Sequence, residues 1–318
     1  MDADFSLISS FDLADLSLQT EPETQEQYLL LNSQVKNCKL WDVESPNLYD
    51  IQYRLLNKET GKLVDYYDTC IGFRRLVFKS DGLYLNSRKL KIRGLNRHQS
   101  FPYIGYAMPE SMQIMDADIL KYELGLNAVR TSHYPQSHAF IKRCDEIGLL
   151  VFTEMPGWQH IGREEWKNQA CVNLKEMIVQ YRNHPSIFMW GVRINESKDD
   201  NSFYTRTNAI AKALDPTRAR AGVRANKRSH LLEDVYTYND FSHNGNNAGC
   251  EKKASVTSNM KKPYLITEYN GHMYPTKMCD DEEHRLSHLL RHLTMHMSSI
   301  AAISVIGVDM RRPMRQTS

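Results

Sequence analysis

From about residue 90 to residue 268 short apolar runs alternate with longer amphipathic stretches. Runs such as Leu149 to Glu154, Ile187 to Val192 and Tyr264 to Glu268 are too short for helices and too uniformly apolar for strands with one wet face. They read as strands covered on both sides. Between them Pro109 to Gly125, Pro135 to Gly148, Glu164 to Asn183 and Asp200 to Leu214 carry helical periodicity, and the first two open on proline and close on glycine. Such alternation calls for a parallel sheet with crossover helices. In chain order the expected strands are Leu90 onward to Asn96, then Asn127 to Tyr134, Leu149 to Glu154, Ile187 to Glu196, Arg218 to Val223, Val235 to Asn239 and Tyr264 to Glu268. A helix from Asp281 to about Met297 follows. The eighth place falls to Ile300 to Val308, which is β-favouring at Ile303, Val305 and Ile306 but offers no aromatic or polar side chain until Asp309. The expected fold is α/β, a TIM-type (β/α)8 barrel truncated at its eighth strand.

Upstream the texture is all-β. Tyr28 to Leu31, Leu48 to Leu56 and Tyr66 to Phe73 read as strands, with turn material at Ser45-Pro46-Asn47 and Lys58 to Lys62. That is too few strands for a complete sandwich of about seven. Residues 1 to about 26 carry no assignable pattern. The turn Ser80-Asp81-Gly82 precedes a hairpin feeding the first barrel strand, so the expected domains are residues 1–80, a partial sandwich with its tail, and 81–318, the barrel.

Composition removes several function classes. Lys+Arg 40 against Asp+Glu 38 leaves a net charge of +2, which gives no field for gathering nucleic acid or an anionic membrane. No stretch approaches the ~18 consecutive apolar residues of a membrane helix, and Asp2, Asp4, Asp12 and Asp15 interrupt any secretory signal pattern. The six cysteines are scattered without a C-x-x-C pair, which fits a reduced, cytoplasmic setting.

The chemistry-bearing feature is a pair. Ile187 to Val192 leads to Asn195 and Glu196, and Pro263 to Thr267 leads to Glu268. A glutamate after an apolar strand also fits an exposed loop or a helix cap. Two such strands in one parallel barrel, however, bring two carboxyls to the rim where barrels place their chemistry. Two facing carboxyls are the apparatus of acid catalysis on a sugar.

Several separated motifs, in order, make the chain resemble glycoside hydrolase family 2, and within it the β-galactosidases. Leu40-Trp41-Asp42 with Pro46-Asn47-Leu48-Tyr49 resembles the end of that family's immunoglobulin-like domain, and Ile71-Gly72-Phe73-Arg74 its exit into the barrel. Arg93 to His98 resembles the first barrel strand, Asn127 to Pro135 the second, Trp190 to Glu196 the acid/base strand, Asp234 to Asn239 the sixth and Ile266 to Tyr269 the nucleophile strand.

The resemblance implies retaining hydrolysis of terminal β-D-galactosides, with Glu196 as acid/base and Glu268 as nucleophile. It also implies Arg130 as the cation that keeps Glu268 charged, Tyr238 as a hydrogen-bond donor to Glu268, and Asn195 on the sugar 2-hydroxyl. His98, His133 and His272 would contact sugar hydroxyls. β-Glucuronidases and β-mannosidases of the family share the two glutamate strands, so those activities stay open, as does a catalytically silent chain with a sugar-binding rim. Trp158 stands where magnesium-dependent relatives carry a carboxylate, so no cofactor is expected, with magnesium left open by the resemblance alone. Trp158 and Trp190 are both aromatic candidates, with Trp190 placed mid-strand, where core packing is the natural role. Ser87 replaces the glycine usual in the turn before the first strand. The eighth strand lacks the family's sugar-platform tryptophan, which leads to an expectation of little turnover. The expected partner is a carbohydrate substrate, with a homo-oligomer or complementing chain open.

Overall fold

A computed structural model describes residues 17–20, 27–30, 34–101, 103–241, 251–269 and 301–302. The chain divides into two compact units, Met1–Lys39 and Leu40–Ser318. In the first, β1 (Ser17–Thr20) pairs antiparallel with β2 (Gln27–Leu30). In the second, β3 (Tyr49–Leu56) and β4 (Leu63–Ile71) form a long hairpin whose Tyr53, Leu55, Val64, Tyr66 and Tyr67 are exposed. These two hairpins are what the described residues show of the sandwich region.

A meander of β5 (Leu76–Lys79), β6 (Gly82–Leu85) and β7 (Arg88–Leu90) comes next. Its first turn is the Ser80-Asp81 pair expected from sequence. The second is Asn86-Ser87, both left-handed at φ 50° and 70°. Asn86 tolerates this because its side chain is held by the Trp41 carbonyl and by the Arg75 amide. Ser87 adopts the conformation a glycine would adopt with less strain.

The barrel then runs β8 (Gly94–Arg97), α1 (Glu110–Asp118), β9 (Ala128–Thr131), α2 (His138–Ile147), β10 (Leu150–Glu154), α3 (Glu164–Tyr181), β11 (Ile187–Gly191), α4 (Asn201–Leu214), β12 (Ala219–Arg224), β13 (Val235–Asp240), a short α5 (Lys253–Val256), β14 (Tyr264–Tyr269) and β15 (Ala301–Ala302). All strands from β8 to β15 pair in parallel with their sequence neighbours. The eighth place is taken by Ala301 and Ala302, which pair with Leu265 and Ile266. No ladder joins β15 to β8 among the described residues. The rest of Ile300 to Val308 and the helix expected over Asp281 to Met297 lie outside the described residues.

Alternation along the strands sorts the core into two layers. Leu150, Phe152, Phe188, Val223, Val235 and Leu265 belong to the inner cluster, which Leu83 and Leu85 from the meander and Ile92 just beyond it join, so the meander stoppers the barrel floor. Phe78 stacks on Phe188 at 6.2 Å and Phe188 meets Phe152 edge-on at 6.4 Å. Val129, Val151 and Trp190 face outward against Phe140, Leu174, Ile178 and Phe203 of the helices. Each such fully buried side chain contributes roughly 1.5–3 kcal/mol. Trp190 is therefore core, with its indole N–H donated to Asp215 at 2.9 Å. Helix starts follow their caps: Ser137 accepts from Ala139 N, and Asp200 accepts from Phe203 N.

The expected fourth strand was drawn to Glu196, but β11 ends at Gly191. A Cβ on Gly191 would sit 2.7 Å from Glu154 Cγ, so this glycine admits the neighbouring glutamate to the interior. From Val192 the backbone follows β12 irregularly, with Val192 N on the Ala221 carbonyl and Glu196 N on the Val223 carbonyl. Glu196 itself is left-handed at φ 57°.

Candidate active site

The polar centre of the barrel mouth is Arg130, fully buried on β9. Its guanidinium donates to both carboxylate oxygens of Glu154 at 3.1 Å each, to Asn195 Oδ1 at 2.8 Å and to Glu268 Oε2 at 3.2 Å. The arginine fork serves three partners, on β10, on β14 and on the segment beyond β11, which a lysine's point charge does not do. His133 Nδ1 lies 3.0 Å from Arg130 Nη2 and 3.3 Å from Glu154 Oε2, while its Nε2 is 3.4 Å from Asn195 Nδ2.

The two candidate carboxyls meet at one amide. Asn239 Nδ2 donates to Glu268 Oε2 at 2.7 Å and lies 3.0 Å from Glu196 Oε1. Those oxygens are no farther apart than these two contacts laid end to end. The other oxygen of Glu196 accepts from Trp158 Nε1 at 3.0 Å and Gln159 Nε2 at 3.3 Å.

Burial raises the Glu154 carboxyl, but Arg130 and His133 outweigh it, and the net shift is below its ordinary value of 4.5. For Glu268 burial wins: Arg130 and His133 pull its carboxyl down, Glu196 pushes it up, and it ends above 4.5. Arg130 pulls Glu268 down, but the net shift is upward and its closer, two-pronged contact goes to Glu154, so its charge is shared rather than spent on one carboxylate.

Of the residues expected from sequence, Glu196, Glu268, Arg130, His133 and Asn195 come together at the mouth. His98 is exposed and meets His133 edge-on at 5.4 Å, with Tyr134 O–H at 3.5 Å from its Nδ1, on the outer rim of the same group. Tyr238 is a correction. It lies in the outer cluster with Tyr236 and Val256, and burial pushes its phenol up to about 12. The donor to Glu268 is instead its neighbour Asn239, on the opposite face of β13, where a register shift falls between Tyr238 and Asn239. His272 lies outside the described residues.

Glu154, Asn239 and Gln159 were not among the expected site residues. Glu154 had a signal, since Leu149 to Glu154 is a third apolar run ending on glutamate. Asn239 shares the outcome of a one-residue shift in a strand. A magnesium site of the family kind does not fit: no cluster of three metal-binding side chains exists among the described residues, and Glu154 is occupied by Arg130 and His133.

Comparison with known proteins gives a consistent outcome. Residues 77–288 match the family model described as glycosyl hydrolases family 2, TIM barrel domain, and residues 6–74 match the model described as glycosyl hydrolases family 2. The chain is 57% identical over 274 residues to a β-galactosidase of Thermoanaerobacterium thermosulfurigenes, covering 86% of this chain and 38% of that protein. It is 50% identical over 281 residues to a β-galactosidase of Thermoanaerobacter pseudethanolicus, covering 88% of this chain and 36% of that one. Among solved structures it is similar to a β-glucuronidase of Parabacteroides merdae at 28% identity and TM-score 0.71, over 88% of this chain and 39% of that one. The chain thus spans well under half the length of these relatives.

Proposed function

Since the chain belongs to glycosyl hydrolases family 2, we propose that its barrel mouth is a retaining glycosidase site for terminal non-reducing β-D-galactosides. The observation that carries this reading is the single Asn239 amide between Glu268 and Glu196. Carboxyls within two hydrogen bonds of one another suit the ~5–5.5 Å spacing of retaining enzymes better than the ~6.5–9.5 Å that leaves room for a water between them.

Glu268, against the Arg130 guanidinium, takes the role of nucleophile. Glu196, on the rim beside Trp158, takes the role of acid and then base. In the first step a Glu268 oxygen attacks the anomeric carbon while Glu196 gives its proton to the departing glycosidic oxygen. In the second, Glu196 removes a proton from water, which displaces Glu268 and releases the sugar with its configuration kept. Asn195, its Oδ1 held by Arg130, has its amide nitrogen for the sugar 2-hydroxyl, a contact that strengthens as the transition state gains positive character. Because burial raises Glu268 above its ordinary value, the acid limb of turnover shifts upward in the same direction.

The named β-galactosidases at 57% and 50% identity favour galactose. The likeness to a solved β-glucuronidase keeps a glucuronide as second reading. The buried thiols of Cys144 and Cys171 fit a reducing compartment. The test is purified protein assayed with chromogenic β-galactoside and β-glucuronide side by side. Faster release from the galactoside supports the proposal, faster release from the glucuronide selects the second reading, and no release from either leaves a silent rim.

A further inference from the structure

We propose that Trp158 is the platform of a leaving-group subsite that takes a ring-shaped aglycone, a pyranose or an aryl group, by stacking. The proposal rests on Glu196 being the proton donor. A single exposed aromatic residue ordinarily carries no message. Trp158 differs in being both exposed, at 58%, and fixed on every side of its backbone. It bridges in parallel to Asn195, the following Gln159 N–H donates to the Asn195 carbonyl at 2.7 Å, and the preceding Gly157 N–H donates to the His133 carbonyl at 3.2 Å.

The turn that presents it uses conformations few residues accept. Gly157 has φ 145°, and a Cβ there would meet Ile194 Cδ1 at 2.7 Å; Gln159 has φ 61°. Backbone strain of this kind persists where the surroundings over-determine it. The indole edge is pinned to Glu196 through Nε1, 3.0 Å from Oε2, and Gln159 Nε2 reaches the same oxygen at 3.3 Å.

The chemistry gives the ring its use. To protonate the departing oxygen, Glu196 must come within hydrogen-bond reach of it, so the group beyond that oxygen lies alongside Glu196 and the ring attached to it. A flat apolar face at that place recognises another flat face, the C–H side of a pyranose or an aryl ring. A small alkyl aglycone has no such face.

The experiment is calorimetric binding of methyl and phenyl 1-thio-β-galactosides to the full chain, with the matching thioglucuronide pair beside them, in wild type, Trp158→Phe and Trp158→Ala. Wild type is expected to prefer the phenyl ligand by roughly three- to tenfold. Trp158→Phe should keep most of that preference and Trp158→Ala should bind both aglycones alike. Retained preference in Trp158→Ala, or no preference in wild type, overturns the platform while leaving the glycosidase reading intact. If wild type binds none of the four ligands and hydrolyses neither glycoside, the glycosidase reading fails and the platform fails with it.

Discussion

At the barrel floor the left-handed residues Asn86 and Ser87, at φ 50° and 70°, make a two-residue turn beneath an apolar stopper, whereas at the mouth Glu196 and Gln159 are left-handed, at φ 57° and 61°. The backbone feature is the same and its surroundings differ. Around the floor turn stand Leu83, Leu85 and the Phe78–Phe188 stack, which have no use for strain beyond turning the chain. Around Glu196 stand three side-chain N–H donors and a second carboxylate, so the strained residue is the one whose carboxyl is aimed into the site. The floor is held by close packing and the mouth by a buried network around Arg130. Substitutions at the two ends should therefore separate stability from turnover.

The largest effect belongs to the carboxylates. Glu268→Gln should lower turnover by about 10⁴-fold or more on every substrate. Glu196→Gln should cost ~10²–10⁴-fold on alkyl or sugar leaving groups and little on activated aryl ones. Steady-state kinetics on both substrate kinds checks this division; equal losses on both would break it.

Next comes the hub. Arg130→Met leaves Glu154 buried without its cation, and the unfolding free energy should fall by roughly 3–5 kcal/mol, read from the shift of a urea transition. A fall under about 1 kcal/mol would mean that the network is less tightly buried than its geometry indicates.

Much of this contrast was legible in the chain. The alternation of strands and helices gave the barrel order, and two apolar strands ending on glutamate marked the mouth. Glu154 ended a third such strand yet did not stand out, because a glutamate there becomes a buried carboxylate only when a neighbouring strand supplies an inward arginine. That pairing across β9 and β10 is a property of register, which the linear pattern of one strand does not carry. Asn239 was hidden for a related reason: a one-residue choice of face separates it from Tyr238, and the register shifts at that point. Ser87 was recognisable as a turn residue in a glycine's place, and its positive φ bears that out. Beyond Gly191 the sequence suggested a continuous strand, because nothing in an apolar run announces that the ladder stops at Gly191, beside Glu154.

A smaller effect lies in pH. Glu154, raised by burial but lowered further by Arg130 and His133, ends below 4.5. Its contribution to stability is present above 4.5 and is lost as pH falls through the depressed value. Glu268, raised chiefly by burial, ends above 4.5. Its contribution is present below 4.5 and is lost as pH rises through the raised value. In urea titrations the advantage of wild type over Glu154→Gln should shrink at acid pH, and its deficit against Glu268→Gln should grow towards neutrality. Parallel behaviour of the two variants would show that Arg130 does not divide its charge as described.

The smallest effect is at the floor. Ser87→Gly should raise stability by about 0.5–1 kcal/mol and leave turnover per folded molecule unchanged. A destabilised variant would show that the serine makes a compensating contact.

The paired carboxylates are tested most directly by trapping. The intact chain is incubated with a 2-deoxy-2-fluoro-β-galactoside bearing an activated leaving group, digested, and mapped by mass spectrometry. The arrangement at the mouth predicts a fluorogalactosyl ester on the Glu268 carboxyl. An ester on Glu196 or Glu154, or galactoside hydrolysis with inverted configuration and no ester, would contradict it.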